Sequence, residues 1–342
     1  MSDSFVHLHV HTEYSIKDSI VRIKELAGAV KDSGMSTVAM TDHGNLFGTV
    51  EFYQKMTDEG IKPILGCEVY LAPASLHSKK DIPGRKRSTH LTLLAKNKIG
   101  WDNLTKLVSR GHLDGDYFGE PRIDRDTLRE FSEGIICLSG DDDGPIHEWL
   151  EKNDMEQASA QVAELKEIFG ADDFYIELMD HALETQPARI ASLRQLADQH
   201  DVKLVATNDV HFLKPEEHEA HDVLICIGES CLILDENRKS YSDQVYFKSP
   251  AEMRELFKDV PGACDNTLEI AEKCNVQLDL DPTSSDKYPQ FEAPDGSPRE
   301  EYFERVCKEG VAMRYPEEKI QELCGIFDTD VAGVWKILDE RL

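Results

Sequence analysis

The sequence has no run of 18 apolar residues, no Cys-X-X-Cys pair and no N-terminal signal pattern. The first absence excludes a membrane-spanning helix. The eight cysteines show no framework spacing, so we expect reduced thiols rather than disulfides or a cysteine-rich structural zinc site. The N-terminus MSDSFVHLHV lacks a basic segment followed by an apolar one, which argues against secretion. Together these absences predict a cytoplasmic protein.

Positive charge is also scarce, with 38 lysines and arginines against 66 aspartates and glutamates, giving a net charge of −28. A surface this acidic does not wrap nucleic acid nonspecifically, so any phosphate-binding site must be local. The 342 residues are 40% hydrophobic and 30% charged. This length and composition indicate a globular chain with two domains, or one large barrel with an appendage.

Short apolar segments alternate with helical periods through the first two thirds of the chain. A helix follows the first segment, with Asp18 or Ser19 as its cap and Gly34 at its end. This alternation predicts the α/β class and a (β/α)7 barrel built from a parallel sheet. The seven strands are predicted at FVHLHV, STVAMT, PILGCEVYLA, HLTLLA, GIICLSG, FYIELM and KLVAT.

The C-terminal third has a different texture. Past residue 212 strand signals become rare, and residues 281 to 298 are rich in Pro, Ser and Asp, which is typical of a linker. We therefore predict one domain over residues 1 to 280, a linker over 281 to 298 and a helical extension over 299 to 342. The extension is predicted as two helices, 299 to 314 and 317 to 341, too short to form a core of their own.

Three histidines, His7, His9 and His11, alternate in HLHVH. Side chains alternate along a strand, so all three should point to one face at its C-terminal end. Three imidazoles on one face indicate a binding function.

Other polar residues lie at the ends of the later strands. The carboxyl ends of parallel strands in a barrel converge at one mouth, the usual place for an active site. Imidazole and carboxylate donors without paired cysteines are typical of a catalytic Zn, Mn or Fe cluster. Asp18 is equally consistent with an N-cap and with a ligand. The segments that carry these residues are TDHG, GCEVY with Glu68, His90 at the start of strand four, SGDDDG and TNDVHF.

These segments resemble the polymerase and histidinol phosphatase (PHP) superfamily, most closely the PHP domains of bacterial replicative DNA polymerases. The resemblance runs from Phe5 to Tyr315 through blocks such as HLHVHTEYS, AMTDHGNLFGTVEFY and VATNDVHF. It implies a distorted (β/α)7 barrel with metal-dependent phosphoesterase activity in residues 1 to 280. It also implies that residues 299 to 342 are the truncated start of a region leading to a polymerase core.

The resemblance further implies a site for two or three divalent transition-metal ions. His7 occupies a position that implies support of a ligand rather than metal binding. The implied ligands are His9, His11, Asp18, His43, Glu68, His90, Asp141, Asp209 and His211.

Asp141 departs from the family pattern, because relatives with an intact site often carry a cysteine after the LSG of strand five. A carboxylate can still bind a metal, but oxygen in place of sulfur moves the preference from Zn toward Mn or Fe.

The implied reaction is hydrolysis of a phosphoester, with Asp18, His43 and Asp209 as catalytic residues. Three divalent ions would carry +6 and the carboxylates of Asp18, Glu68, Asp141 and Asp209 would carry −4, so the site would be positive by about 2. That local charge would attract a phosphate into an otherwise acidic protein and stabilise a phosphoryl transition state.

The substrate implied by the polymerase branch is the 3′ end of DNA, removed by 3′ to 5′ exonuclease proofreading. Two substrate contacts are predicted: His181 after strand six, and the basic insertion between strands three and four. The alternative for the insertion is a solvated loop that does not contact the substrate. The insertion carries Lys79, Lys80, Arg85, Lys86 and Arg87.

Two other functions stay open. One is a small-molecule phosphatase of the histidinol phosphatase type, which would suit the acidic surface. The other is a structural module that braces a polymerase or docks a proofreading subunit. By resemblance the partners are a polymerase core and other replisome subunits; no membrane partner and no polymerase activity of the chain alone are expected.

Overall fold

The computed structural model of the chain describes residues 4 to 235, 237 to 281, 291 to 315, 317 to 328 and 330 to 339. The chain divides into two compact units, one ending at Leu278 and the other beginning at Asp279. No helix in these residues is long and apolar enough to cross a membrane.

The first unit contains a barrel surrounded by helices. Its strands are β1 (Thr37–Met40), β2 (Lys62–Leu71), β3 (Thr89–Ala95), β4 (Asp116–Tyr117), β5 (Glu120–Ile123), β6 (Ile135–Leu138), β7 (Phe174–Leu178) and β8 (Lys203–Ala206). Its helices are α1 (Ile23–Asp32), α2 (Thr49–Asp58), α3 (Lys98–Arg110), α4 (Arg125–Glu130), α5 (Pro145–Leu150), α6 (Met155–Phe169), α7 (Gln186–His200), α8 (His218–Glu229), α9 (Pro250–Leu256) and α10 (Pro261–Lys273). The predicted α/β class is confirmed.

The N-terminal segment, residues 5 to 11, takes the place of a strand in the barrel. The barrel has seven members in the order N-terminal segment, β1, β2, β3, β6, β7, β8. The N-terminal segment closes it by pairing on both sides. Thr41 N–H donates to Val10 O at 2.9 Å on one side, and His11 N–H donates to Val210 O at 2.9 Å on the other. The β4–β5 hairpin pairs with the end of β2, where Tyr70 lies opposite Arg122. All seven predicted strand segments therefore form the barrel.

One strand runs against the others. β3 pairs antiparallel with both β2 and β6, whereas β1–β2, β6–β7 and β7–β8 are parallel. The prediction of a wholly parallel sheet was wrong at this strand. The reversal matters for the site, because it brings the start of β3, rather than its end, to the mouth where the parallel strands finish.

The N-terminal segment carries a bulge that separates its histidines. Ala39 N–H donates to His7 O, and Thr41 N–H, just after β1, donates to Val10 O. A step of two residues on the β1 side therefore matches a step of three residues in the N-terminal segment, which is a bulge. Leu8 packs with the apolar residues inside the barrel, whereas His7 contacts Phe5 and Phe247 outside it. The prediction that all three histidines share one face was therefore wrong for His7.

Two local predictions about the first helix also need correction. α1 begins at Ile23, well beyond Asp18 and Ser19, so neither residue is its N-cap. The Ser19 hydroxyl donates to His11 O at 2.8 Å and lies 3.1 Å from His211 O, which ties the two histidine-bearing segments together. Asp18 therefore has no capping role in α1 and can contribute to the predicted metal site. Gly34 ends the helix with a φ of +74°, as predicted.

The second unit contains α11 (Arg299–Arg314), α12 (Glu317–Phe327) and α13 (Val331–Asp339). The helix predicted over 317 to 341 is therefore two helices. Within this unit Ile320 and Val334 are buried. Residues 282 to 290 of the predicted linker lie outside the described residues, and 291 to 298 form neither helix nor strand. The assignment of 1 to 280 and 299 to 342 as functional domains stays a prediction.

Candidate metal centre

Nine nitrogen- and oxygen-bearing side chains converge at the mouth of the barrel. Seven lie at or just beyond strand ends, Glu68 lies within β2, and Asp18 follows a short 3₁₀ turn. Neighbouring side chains of this set lie within ion-pair or ring-stacking distance of each other. We call this set the donor cluster; it consists of His9, His11, Asp18, His43, Glu68, His90, Asp141, Asp209 and His211. The sequence predicted these nine residues, and their role as ligands stays a prediction.

Glu68 lies at the centre of the donor cluster. Its carboxylate oxygens lie 2.6 Å from His43 Nδ1 and 3.2 Å from His90 Nδ1. The Nε2 atoms of His9 and His11 are 3.6 and 3.3 Å from the same carboxylate. One buried anion is thus surrounded by four imidazoles from three parts of the barrel, so it can bridge neighbouring cation sites.

Asp209 approaches the first two histidines from the opposite side. Its Oδ1 is 3.5 Å from His9 Nε2 and 3.2 Å from His11 Nε2. Asp209 has a φ of +45°, an uncommon left-handed conformation for a residue other than glycine. Two residues on, the His211 ring stacks on the His11 ring with 4.4 Å between centroids.

Four overlapping groups in the donor cluster have the geometry to hold a cation. In each group the ligand atoms lie within 4.8 Å of one another. The groups are His11 with His43 and His211; His9 with His11 and Asp209; His43 with Glu68 and His90; and His90 with Asp141 and Asp143. Only Asp143 lies outside the predicted nine.

Glu177, which sequence reasoning missed, fixes the orientation of His9. His9 Nδ1 donates to Glu177 Oε1 at 2.8 Å, so the lone pair of His9 Nε2 points into the donor cluster. Glu177 also accepts from Thr207 Oγ1 at 2.6 Å and from Gly140 N–H at 3.1 Å. A carboxylate behind a histidine is the usual support of a metal ligand. The available signal was a glutamate inside the apolar strand FYIELM.

Asp42 plays the corresponding part behind His11, through a serine. His11 Nδ1 lies 3.0 Å from Ser15 Oγ, and that hydroxyl donates to Asp42 Oδ1 at 2.8 Å. The Nε2 atoms of His9 and His11 then face each other at 3.1 Å. Two lone pairs at this distance repel each other unless a proton or a cation lies beside them, so the arrangement fits a metal ion.

Several buried atoms of the donor cluster make no hydrogen bond of good geometry within the described residues, and those of Glu68, His43 and His90 lie only within ion-pair distance of one another. They are Asp18 Oδ1, both oxygens of Glu68, both ring nitrogens of His43, His90 Nδ1 and His211 Nε2. Buried polar atoms without partners are costly, and their concentration here gives the donor cluster the chemistry of a metal site. A group of divalent cations therefore fits these residues.

The pKa values show how strongly the charges interact. Burial lowers the pKa of His43, but Asp18 and Glu68 outweigh that effect and raise it to about 10. Burial raises the pKa of Glu68, but His43, His90 and His9 hold it well below its ordinary range. A proton on His43 therefore balances the charge of ionised Glu68, and a bound cation would take the place of that proton.

Asp141, the residue that departs from the family pattern, lies at the edge of the donor cluster. Its Oδ2 is 3.5 Å from His90 Nδ1, and its Oδ1 accepts from Asp143 N–H at 2.9 Å. Burial raises the pKa of Asp141 to about 6, since the attraction of His90 offsets it only in part. Asp141 is thus within reach of the same cation as His90.

A cavity of about 690 Å³ opens over the donor cluster, with Asp18, His43 and His90 in its lining. Four cationic side chains and an exposed aromatic ring also line it. We call these five residues the rim; they are Lys17, Lys86, Arg87, Phe118 and Lys239. The cavity thus places four cationic side chains beside the donor cluster of a chain with a net charge of −28, and the acidic residues Glu120, Asp143 and Glu229 line it as well.

The basic insertion is divided by the fold. Lys86 and Arg87 reach the rim, but Lys79, Lys80 and Arg85 lie outside the lining of this cavity as described. Lys79 Nζ donates to the carbonyls of Asp114 and Asp116, and Arg85 Nε donates to Glu148 Oε1 at 2.9 Å. Lys86 and Arg87 are thus the members of the insertion that line this cavity, and substrate binding by any of the five basic residues stays a prediction.

His181 lies where the strand argument predicted, near the mouth. With Asp209, Asp141 and Tyr241 it lines a second cavity of about 260 Å³ beside the donor cluster. Its Nε2 atom is buried and makes no hydrogen bond in the described part of the chain. A contact between His181 and a substrate stays a prediction.

Sequence reasoning missed the loop after α8. Lys239 Nζ lies 3.7 Å from Asp18 Oδ2, and the Tyr241 ring lies 4.5 Å from the His211 ring. The Tyr241 hydroxyl lies 3.3 Å from Asp18 Oδ2. The segment NRKSY, with two adjacent cations and an aromatic, was the only signal in a stretch with few strand residues.

Comparisons with known proteins identify the family of the chain. Residues 7 to 181 match the family model described as PHP domain. The chain is 41% identical to the DNA polymerase III subunit alpha of Borreliella burgdorferi, over 91% of this chain and 27% of that protein. It is also 41% identical to the subunit of the same name in Pseudomonas aeruginosa, over 92% of this chain and 26% of that protein.

The chain thus spans about a quarter of the length of these curated relatives. Among solved structures, one from Bacteroides vulgatus is described as a two-domain protein containing a predicted PHP-like metal-dependent phosphoesterase. It is 14% identical, with a TM-score of 0.37, over 79% of this chain and 69% of that one. With the family model covering half of its residues, the chain belongs to the PHP domain family.

Proposed function

We propose that this chain hydrolyses phosphodiester bonds at the 3′ end of single-stranded DNA, using two or three divalent ions of Zn, Mn or Fe held by the donor cluster. The observation that carries the proposal is the set of four overlapping donor groups beneath a cavity whose rim is cationic. The donor cluster, which forms the floor of the cavity, suits cations, and the cationic residues of the rim suit a polyanion. A phosphate ester bound between them meets both requirements.

Bound divalent cations would polarise the phosphate and make water a better nucleophile near neutral pH. The chain's own residues would orient the reaction. Asp18 and His43 line the main cavity and Asp209 lines the adjoining one, so these three are the proposed catalytic side chains. Glu177 and Asp42, behind the histidines, keep the Nε2 atoms of His9 and His11 turned toward the other members of the donor cluster.

The rim is the proposed binding site for the DNA backbone. Lys86 Nζ is held 2.8 Å from Asp143 Oδ1, which aims it at the region of His90. Lys239 reaches the cavity from the opposite loop and lies beside Asp18. His181 would contact the substrate from the second cavity. Lys86, Lys239 and Arg87 would thus place three cationic side chains around the phosphate that approaches the donor cluster.

The relatives support a replication context for this activity. We propose that the chain corresponds to the PHP part of a bacterial DNA polymerase III subunit alpha, that it proofreads in the 3′ to 5′ direction, and that it acts in the cytoplasm. The polymerase core and other replisome subunits are its proposed partners. Alone, the chain would not polymerise DNA.

The test compares two substrates at equal protein and metal concentrations: a 3′-labelled single-stranded oligonucleotide and histidinol phosphate. The proposal expects nucleotide release from the oligonucleotide with added Mn or Zn, and none with chelator. Turnover of histidinol phosphate without nucleotide release would instead identify a small-molecule phosphatase. Elemental analysis that finds less than one ion per chain after incubation with Mn and Zn would contradict the metal site and favour a structural module.

Asp18→Asn tests the catalytic assignment. Since α1 does not use Asp18 as its cap, the variant should keep its circular dichroism spectrum and lose most of its nucleotide release. A variant that digests the oligonucleotide at the wild-type rate would remove Asp18 from the proposed machinery.

A further inference from the structure

The β4–β5 hairpin places a strained aromatic residue at its tip. Its two-residue loop, Phe118 and Gly119, joins Asp116–Tyr117 to Glu120–Ile123. Both loop residues have positive φ, +57° for Phe118 and +81° for Gly119, as a type I′ turn requires. Glycine adopts this conformation freely, and asparagine or aspartate is preferred at the first position. A phenylalanine there is an outlier that costs stability.

The Phe118 side chain recovers little of that cost by burial. It is 71% exposed and lines the cavity above the donor cluster, in the rim with Lys17, Lys86 and Lys239. Burial therefore does not account for the strained backbone, and the contacts of the ring are with its neighbour Tyr117 and with Arg87. An observed outlier of this kind at the mouth of a site points to a role in binding.

The ring is nevertheless held in a defined position. The Arg87 guanidinium lies over it, with 4.3 Å between Cζ and the ring centroid. Arg122, which is buried, donates from Nη1 to the Arg87 carbonyl at 3.1 Å and places its own guanidinium over the Tyr117 ring. Two arginines thus brace the hairpin tip, and one braces the ring itself.

We propose that the Phe118 ring is the platform on which an unpaired base stacks while the phosphate of its nucleotide lies over the donor cluster. The inference rests on the proposed function and names the base contact of that site. An aromatic ring beside lysines is the pattern by which proteins bind single-stranded nucleic acid. A duplex would not fit this description, because neighbouring pairs cover the faces of its bases.

The test measures binding of two 5′-fluorescein decathymidylates by anisotropy. One is intact and the other has an abasic 3′-terminal residue, and both have a phosphorothioate as the last linkage to slow cleavage. The wild-type chain should prefer the intact strand by about 10-fold, or about 1.4 kcal/mol, which is in the range for one base stacked on an aromatic ring. The ratio of the two affinities isolates the base from the backbone.

Three variants complete the experiment. Phe118→Asn should lower the preference to about 1-fold and raise the melting temperature, since asparagine suits the turn. Phe118→Trp should keep the preference. Leu113→Asn removes an apolar side chain that is 81% exposed and lies outside the cavity lining as described, so it should leave the preference at the wild-type value.

Wild-type chain that releases nucleotides but binds both strands equally would overturn the stacking role and leave the proposed function standing. Retention of the preference in Phe118→Asn, or its loss in Leu113→Asn, would overturn the stacking role as well. A chain that neither binds nor cleaves either strand would overturn the proposed function, and the base platform with it.

Discussion

The floor and the rim of the site are built differently. The floor is the donor cluster, whose side chains other than Asp18 lie in or just beyond barrel strands. Two of them, His9 and His11, are fixed from behind by Glu177, Ser15 and Asp42. The rim comes from loops and a hairpin, and its cations are partly exposed. The floor is therefore positioned by the sheet, whereas the rim can vary without disturbing it. Binding and chemistry should respond separately to substitution.

The largest effect is expected at the centre of the floor. Glu68→Gln removes the anion that four imidazoles approach, so metal content should fall and nucleotide release should drop by at least about 10²-fold. Elemental analysis and the oligonucleotide assay measure both. Glu229→Gln, at a glutamate that lines the cavity but lies outside the donor cluster, is the matched control. Equal metal content in the two variants would contradict the central role of Glu68.

A smaller effect is expected one layer behind the floor. Glu177→Gln keeps the shape of the side chain but weakens its hold on His9, so metal affinity should fall by about 10 to 100-fold. Titration with Zn and Mn measures the change. Glu269→Gln, at a glutamate that bonds Tyr175 and Lys203 instead, serves as the control. If Glu177→Gln binds metal like wild type, His9 does not depend on its carboxylate support.

The edge of the floor should control metal preference rather than metal content. Asp141→Cys replaces an oxygen with a sulfur near His90, so affinity for Zn should rise relative to Mn. Competition titrations in the variant and the wild type give the ratio. An unchanged ratio would mean that Asp141 does not contact the metal ion.

The smallest effect is expected at the rim. Lys86→Gln removes one cationic contact, so the slope of log affinity for single-stranded DNA against log salt should flatten by roughly 0.7. Lys80→Gln, in the same basic insertion but outside the cavity lining as described, should leave the slope unchanged. Equal slopes for the two variants would show that the insertion acts as a whole, contrary to the division seen in the fold.

The difference between floor and rim also explains what the sequence could predict. Residue chemistry predicted a metal cluster, because histidines and carboxylates at strand ends have few other uses and strand ends meet at one mouth. The resemblance to the PHP family supplied the nine residues of the donor cluster. The prediction that His7 shares a face with His9 and His11 failed because a bulge after His7 turns the following side chains to the other face of the segment. The contact of Glu177 with His9 could not be predicted, because Glu177 lies in an apolar strand and the closure of the barrel decides which side of that strand faces the interior.

The seven barrel segments and the α/β class were determined by the sequence alone, because apolar periodicity is a local property. The nine residues of the donor cluster followed from motifs that resemble the PHP family. The tertiary structure decided the direction of β3, which brings His90 to the mouth by reversal. It also decided which members of the basic insertion reach the main cavity. It brought Phe118 there from the β4–β5 hairpin and Lys239 from the loop after α8, whose Tyr241 lines the second cavity. These outcomes depend on pairing between segments far apart in the chain, which local patterns do not encode.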